Sequence, residues 1–103
     1  MNLQISFRHM ESSPNLRTTI EEKSEKFSKY FHGKISLTWT LETDRHECVV
    51  HCHMVGNHMD YFAEARTEAF LDSIDQVVAK IDKQLRKHKE VIKHAHPAKK
   101  RAA

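Results

Sequence analysis

Residues 35–41 read Ile-Ser-Leu-Thr-Trp-Thr-Leu, an unbroken alternation of apolar and hydroxyl side chains, and this stretch decides the fold. Alternation with a period of two places one set of side chains on each face of a β-strand. Ile, Thr and Trp also favour a pleated, half-buried surface. The stretch therefore predicts a strand over residues 34–42, with one face turned to a core.

The neighbouring segments have equally clear periods. Residues 2–8 alternate in the same way and predict a first strand, while residues 47–54 and 60–65 predict a third and a fourth, separated by a turn at Gly56-Asn57. Ser13-Pro14 supplies an N-cap and a first-turn proline for a helix over about 14–31 that stops at Gly33. From about Thr67 an apolar stripe at helical spacing predicts a long second helix, which Pro97 ends.

The element order β-α-β-β-β-α predicts an α+β fold. A crossover through a helix makes strands one and two parallel, and short connections make strands two to four an antiparallel meander. Each helix has one apolar stripe and the sheet has one apolar face, so both helices pack on that face. We expect a two-layer sandwich with a four-stranded sheet, a single domain over residues 1–95 and a basic, flexible tail over residues 96–103.

Charge is distributed unevenly along the 103 residues. The net charge is +3, but residues 80–103 hold nine Lys or Arg against two acidic residues, a net +7, which leaves −4 for the rest. A localised positive field of this kind attracts polyanions such as nucleic acid. At 100° per residue, Lys80, Lys83 and Lys87 share one flank of helix two, and Lys23 and Lys26 project from helix one. We expect these lysines to converge into one continuous basic cradle for phosphate groups.

The sequence has few of the motifs that are typical of catalytic, cofactor-binding or metal-binding sites. Only two glycines are present, in no phosphate-loop pattern, and neither a nucleophile elbow nor paired carboxylates occur, so we expect no enzyme activity and no cofactor. His51 and His53, with His46, His58 or Asp60 nearby, suggest a zinc site, but the ligand spacing typical of zinc proteins is missing and we predict none.

The amino terminus and the two cysteines bear on the compartment. No apolar run is long enough to span a membrane, and residues 1–5 do not begin a secretory signal, so a cytoplasmic location is expected. Cys48 and Cys52 are four residues apart on one strand, too far along it for easy bridging, and are expected to be reduced thiols on the core side.

Two motifs resemble those of the ribosome hibernation promoting factor family, whose members are also called ribosome-associated inhibitors or sigma-54 modulation proteins. Residues 23–31 match the pattern Lys-x-x-Lys-x-x-x-Tyr-Phe, and residues 84–89 read Gln-Leu-Arg-Lys-His-Lys, which is similar to the end of the family's helix-two signature. Residues 69–75 depart from the usual opening of that helix. The resemblance covers residues 1 to about 95 and corresponds to a short form without a further carboxy-terminal domain.

The resemblance implies a fold like that of double-stranded-RNA-binding domains and a defined role. Members bind the small ribosomal subunit and assembled ribosomes, occupy the channel of messenger and transfer RNA, and promote ribosome hibernation under stress or in stationary phase. The positions that correspond to 16S rRNA contacts of the family are Lys23, Lys26, Tyr30, Lys80, Lys83, Gln84, Arg86, Lys87, His88 and Lys89.

A second interpretation uses the sheet face opposite the helices. His51, His53 and Phe62 are predicted to lie together on that face, where they form a patch suited to protein contact. The chain would then be a protein-interaction module that binds a transcription factor or a second copy of itself. Neither interpretation involves a membrane or a small-molecule substrate.

Overall fold

A computed structural model describes the backbone of residues 1–30, 34–56 and 58–101, and the side chains of those residues as far as Lys87. The elements are β1 (Asn2–Arg8), α1 (Pro14–Glu25), a short 3-10 helix (Lys26–Tyr30), β2 (Ile35–Asp44), β3 (Glu47–Gly56), β4 (Met59–Thr67) and α2 (Phe70–Arg101). This order confirms the predicted β-α-β-β-β-α sequence of elements. Within the described residues, neither helix is long and apolar enough to cross a membrane.

The four strands form one mixed sheet in the order β1-β2-β3-β4. β1 runs parallel to β2, with Ile5 beside Trp39, and the β2–β3 and β3–β4 pairs are antiparallel. Trp39 lies beside Cys52, which lies beside Ala63, so one row of buried side chains crosses the sheet. The parallel first pair and the antiparallel meander are both as predicted.

Both helices pack on the face of the sheet that carries Trp39. The fully buried side chains of the core include Ile20 from α1 and Ile74 and Ile81 from α2. Trp39 is completely buried, and its indole Nε1 donates a hydrogen bond of 3.0 Å to the hydroxyl of Ser24, which is also completely buried. This bond ties α1 to the sheet and satisfies two polar groups that water cannot reach.

β2, β3 and β4 each extend two residues beyond their predicted carboxyl ends, and three helix boundaries also differ from those expected. The first α-helix ends at Glu25 and continues as a tighter 3-10 turn to Tyr30. Thr67 still belongs to β4, and its hydroxyl accepts a hydrogen bond from the Ala69 backbone amide, so α2 begins three residues later than the apolar pattern indicated. The backbone of α2 is helical as far as Arg101, so the prediction that Pro97 ends it is wrong. Proline removes one backbone donor but does not prevent a helix from continuing.

Some predicted features fall outside the described residues. Gly33, the expected stop of helix one, and Asn57, in the expected turn after β3, are among them. The flexibility expected for residues 96–103 stays a prediction, since of these residues only the backbone as far as Arg101 is described.

Candidate nucleic-acid interface

One flank of α2 faces the edge strand β4. Lys80 Nζ donates a hydrogen bond of 2.6 Å to the backbone carbonyl of Glu64, and Gln84 Nε2 donates one of 3.2 Å to the carbonyl of Phe62. β4 is the last strand of the sheet, so carbonyls on its outer side have no neighbouring strand to accept from. Lys80 and Gln84 thus protect this edge against pairing with another chain, a role that helical periodicity alone did not reveal.

The other flank of α2 faces α1. Lys23 Nζ lies 2.8 Å from Asp75 Oδ1, and Arg86 Nε lies 3.1 Å from Asp82 Oδ2. Both pairs are partly exposed, and each consists of one positive and one negative group. The α1-facing flank is therefore close to neutral and is not a continuous basic surface.

The prediction that Lys23 and Lys80 line a single cradle is wrong, because the two lysines contact different flanks of α2. Asp75 and Lys80 are five residues apart, which separates them by roughly 140° around the helix axis. Lys23 contacts the Asp75 flank whereas Lys80 contacts β4, so the body of α2 and its acidic groups lie between them. Sequence spacing gave the angles on each helix correctly, but it did not determine which flank of α2 would meet α1.

Lys83 and Lys87 occupy the remaining, outward face of α2. Both side chains are exposed. Neither forms an ion pair with a carboxylate in the part of the chain that the structure describes. By their helical angles they lie between the two flanks and point away from the sheet. With respect to the described residues, their ammonium groups are available to an external anion without first breaking an ion pair.

The other predicted contact residues lie on the 3-10 helix and on α2. Lys26 is exposed at the start of the 3-10 helix, and Tyr30 is half-buried at its end, with Lys29 Nζ 5.2 Å from the centre of the Tyr30 ring. The side chains of His88 and Lys89 lie outside the described residues. Whether these residues contact RNA stays a prediction.

The histidine-rich strand β3 presents its imidazoles on the sheet face opposite the helices. The ring centres of His51 and Phe62 are 5.5 Å apart, and His53 Nε2 lies 2.7 Å from Asp60 Oδ1. The predicted cluster of His51, His53 and Phe62 is therefore confirmed. Among the described residues, no group of three or more His, Cys, Asp or Glu side chains is arranged to hold a metal ion.

Both cysteines carry free thiols. Cys52 is completely buried in the core, as predicted, and desolvation raises the pKa of its thiol to about 12. Cys48 is half-buried near the start of the same strand, and burial raises the pKa of its thiol as well. Neither thiol has the lowered pKa that makes a cysteine a nucleophile or a metal ligand.

The architecture is similar to that of several solved structures. The N-terminal domain of Protein Y from Thermus thermophilus superposes with a TM-score of 0.79 at 16% sequence identity, covering 85% of this chain and 99% of that one. A ribosomal subunit interface protein from Coxiella burnetii gives a TM-score of 0.75 at 19% identity, covering 87% of this chain and 99% of that one. At these identities the likeness establishes the four-stranded, two-helix fold.

The sequence itself provides the assignment to a family. No curated protein is significantly similar in sequence. The family model described as sigma 54 modulation protein / S30EA ribosomal protein, however, matches residues 3–93, from β1 to residue 93 within α2. Because this match spans nearly the whole chain, the protein belongs to the sigma 54 modulation / S30EA ribosomal protein family.

Proposed function

We propose that this protein is a ribosome-binding translation inhibitor. In this proposal it acts in the cytoplasm, contacts 16S rRNA of the small subunit, occupies the channel for messenger and transfer RNA, and promotes ribosome hibernation under stress or in stationary phase. The observation that carries the proposal is the family match over residues 3–93. The similar structure from Coxiella burnetii is that of a ribosomal subunit interface protein, which favours the same role.

The charge distribution supports a ribosomal RNA ligand. The segment from Lys80 onward has a net charge of +7, and Lys83 and Lys87 are exposed on the outer face of α2. Phosphate groups are the natural partners of such lysines, and their neutralisation releases counterions. The outer face of α2 replaces the two-helix cradle as the proposed contact. We propose additional contacts from Lys26 and Tyr30 on the 3-10 helix and from Arg86, His88 and Lys89 on α2.

Three of the predicted contact residues differ from the outward lysines in that they are already engaged within the protein: Lys23, Lys80 and Gln84. Each already makes a contact inside the protein, to Asp75, to the Glu64 carbonyl and to the Phe62 carbonyl respectively. An ammonium group has three donors, so Lys80 retains capacity for a phosphate oxygen while it holds β4. We assign these three residues a supporting part in RNA contact and the outward lysines the principal part.

Competition for the small subunit tests the proposal. Purified small subunits are incubated with the protein, either empty or preloaded with messenger RNA and initiator transfer RNA, and complexes are separated on a sucrose gradient. We expect co-sedimentation with empty subunits and strongly reduced co-sedimentation with preloaded ones. Failure to sediment with empty subunits would exclude ribosome binding, and equal binding to both would place the protein outside the channel.

A further inference from the structure

The sheet face opposite the helices carries an exposed apolar patch. Phe62 is 53% exposed and Val55 is 42% exposed, although both belong to strands whose other face is buried. The rings of His51 and His53 lie beside Phe62, at centroid distances of 5.5 Å and 6.3 Å. These two imidazoles brace the phenyl ring from the β3 side and leave its outer surface open to a ligand. Grouped apolar exposure of this kind marks an interaction site more often than isolated exposed residues do.

The surroundings of this patch are acidic. Asp60 and Glu64 lie on either side of Phe62 along β4, each roughly 7 Å away because alternate residues of a strand share one face. On the whole open face, five carboxylates (Asp60, Glu64, Glu42, Asp44 and Glu47) accompany two guanidinium groups (Arg8 and Arg66), a net charge of −3 with the histidines neutral. Arg66 is already engaged by Asp44, Glu47 and Glu64, at 3.1, 3.3 and 3.6 Å.

This charge selects among the possible occupants. An RNA backbone would meet a surface of its own sign, and a second copy docked by the same face would bring two faces of −3 together. A cationic partner can make two favourable interactions with this face. A guanidinium group can stack on the outer surface of Phe62, and it can also form an ion pair with Asp60 or Glu64. His53 holds one oxygen of Asp60 and leaves its other oxygen available.

We propose that the open face of the sheet, centred on Phe62 between Asp60 and Glu64, binds an arginine-bearing basic segment of a protein partner. The helix layer and the sheet layer then serve ligands of opposite charge, with phosphate groups on the outer face of α2 and a basic protein segment on β3 and β4. Binding at the sheet face is independent of ribosome binding, so the two are tested separately.

Chemical-shift mapping of the full chain tests this site. Isotope-labelled protein is titrated with the capped peptide acetyl-Arg-Arg-Arg-amide, and acetyl-Lys-Lys-Lys-amide serves as the equal-charge comparison. We expect the largest perturbations at the amides of Asp60, Phe62 and Glu64, with tighter binding of the arginine peptide because only guanidinium stacks well on a ring. Perturbations that cluster elsewhere, or none on this face at millimolar peptide, would overturn the proposal.

Matched variants separate this site from general acidity. The double variant Asp60→Asn/Glu64→Gln should weaken peptide binding by about tenfold, a loss near 1.4 kcal/mol. The control Glu21→Gln/Glu22→Gln removes the same charge from exposed positions on α1 and should bind like wild type. Equal loss in both would reduce the effect to net charge and refute a built site. Sedimentation velocity of the free protein provides a further check, because a dimer that Phe62→Ser abolishes would assign the face to a second copy instead.

Discussion

The outward face of α2 gives a quantitative prediction about salt dependence. The double variant Lys83→Gln/Lys87→Gln removes two exposed ammonium groups that have no ion-pair partner among the described residues. Gln and Lys have similar helix propensities, so α2 and the melting temperature should be preserved. If each lysine neutralises one phosphate, the slope of log affinity against log salt falls by about one per residue and by about two in total.

That change in slope is large enough to measure. When salt is raised from about 50 to 200 mM, the affinity of both proteins decreases. The factor by which it decreases should be roughly 10- to 20-fold smaller for the variant, which lacks two phosphate contacts, than for wild type. Affinity for small subunits is measured by fluorescence anisotropy of labelled protein across this range. The control Arg8→Gln/Lys34→Gln removes the same charge from exposed positions around β1 and β2 and should keep the wild-type slope. A wild-type slope in the Lys83/Lys87 variant, or an equal decrease in the control, would refute the assignment of phosphate contact to this face.

Two predictions concern the core. Ser24→Ala leaves the buried Nε1 donor of Trp39 without a partner. We expect the free energy of unfolding, measured by urea denaturation, to fall by about 1–3 kcal/mol. A decrease below about 0.5 kcal/mol would show that this hydrogen bond is not needed for stability. Folding raises the pKa of the Cys52 thiol from 9.0 to about 12, so unfolding releases a proton within this interval and stability falls as pH rises through it. The stability advantage of wild type over Cys52→Ala should therefore shrink by up to about 1.4 kcal/mol per pH unit above pH 9, and a constant difference would contradict burial of the neutral thiol.

Local periodicity was sufficient for the architecture. The alternation at residues 35–41 reappears as β2, whose Ile35, Leu37, Trp39 and Leu41 are all buried, and β1 has the predicted bounds 2–8. The sequence pattern predicts these elements well because each strand has one buried face and each helix has one apolar stripe. Packing the helices on one face of the sheet buries both. The motifs that resemble the family could likewise be identified from the order of residues along the chain alone.

Helix ends were predicted less accurately, because they depend on local hydrogen bonds. The start of α2 is set by Thr67, whose hydroxyl is bound both to Ala69 and to Ser73, and no apolar period records such contacts. The helical backbone also continues beyond Pro97, where the sequence pattern predicted an end.

The sequence by itself determined which residues are positively charged, where they fall on each helix, and which family the motifs resemble. How those charges are used depends on the packing of the elements against one another. In the folded protein, Asp75 pairs with Lys23. Lys80 and Gln84 donate hydrogen bonds to backbone carbonyls of β4. Phe62 lies between two carboxylates on the open face of the sheet. The physical reason is that a helix has a fixed angular order but an undetermined rotation about its axis, and packing against α1 and β4 sets that rotation. A lysine therefore becomes an ion pair, an edge cap or a free ligand only when its neighbours are in place.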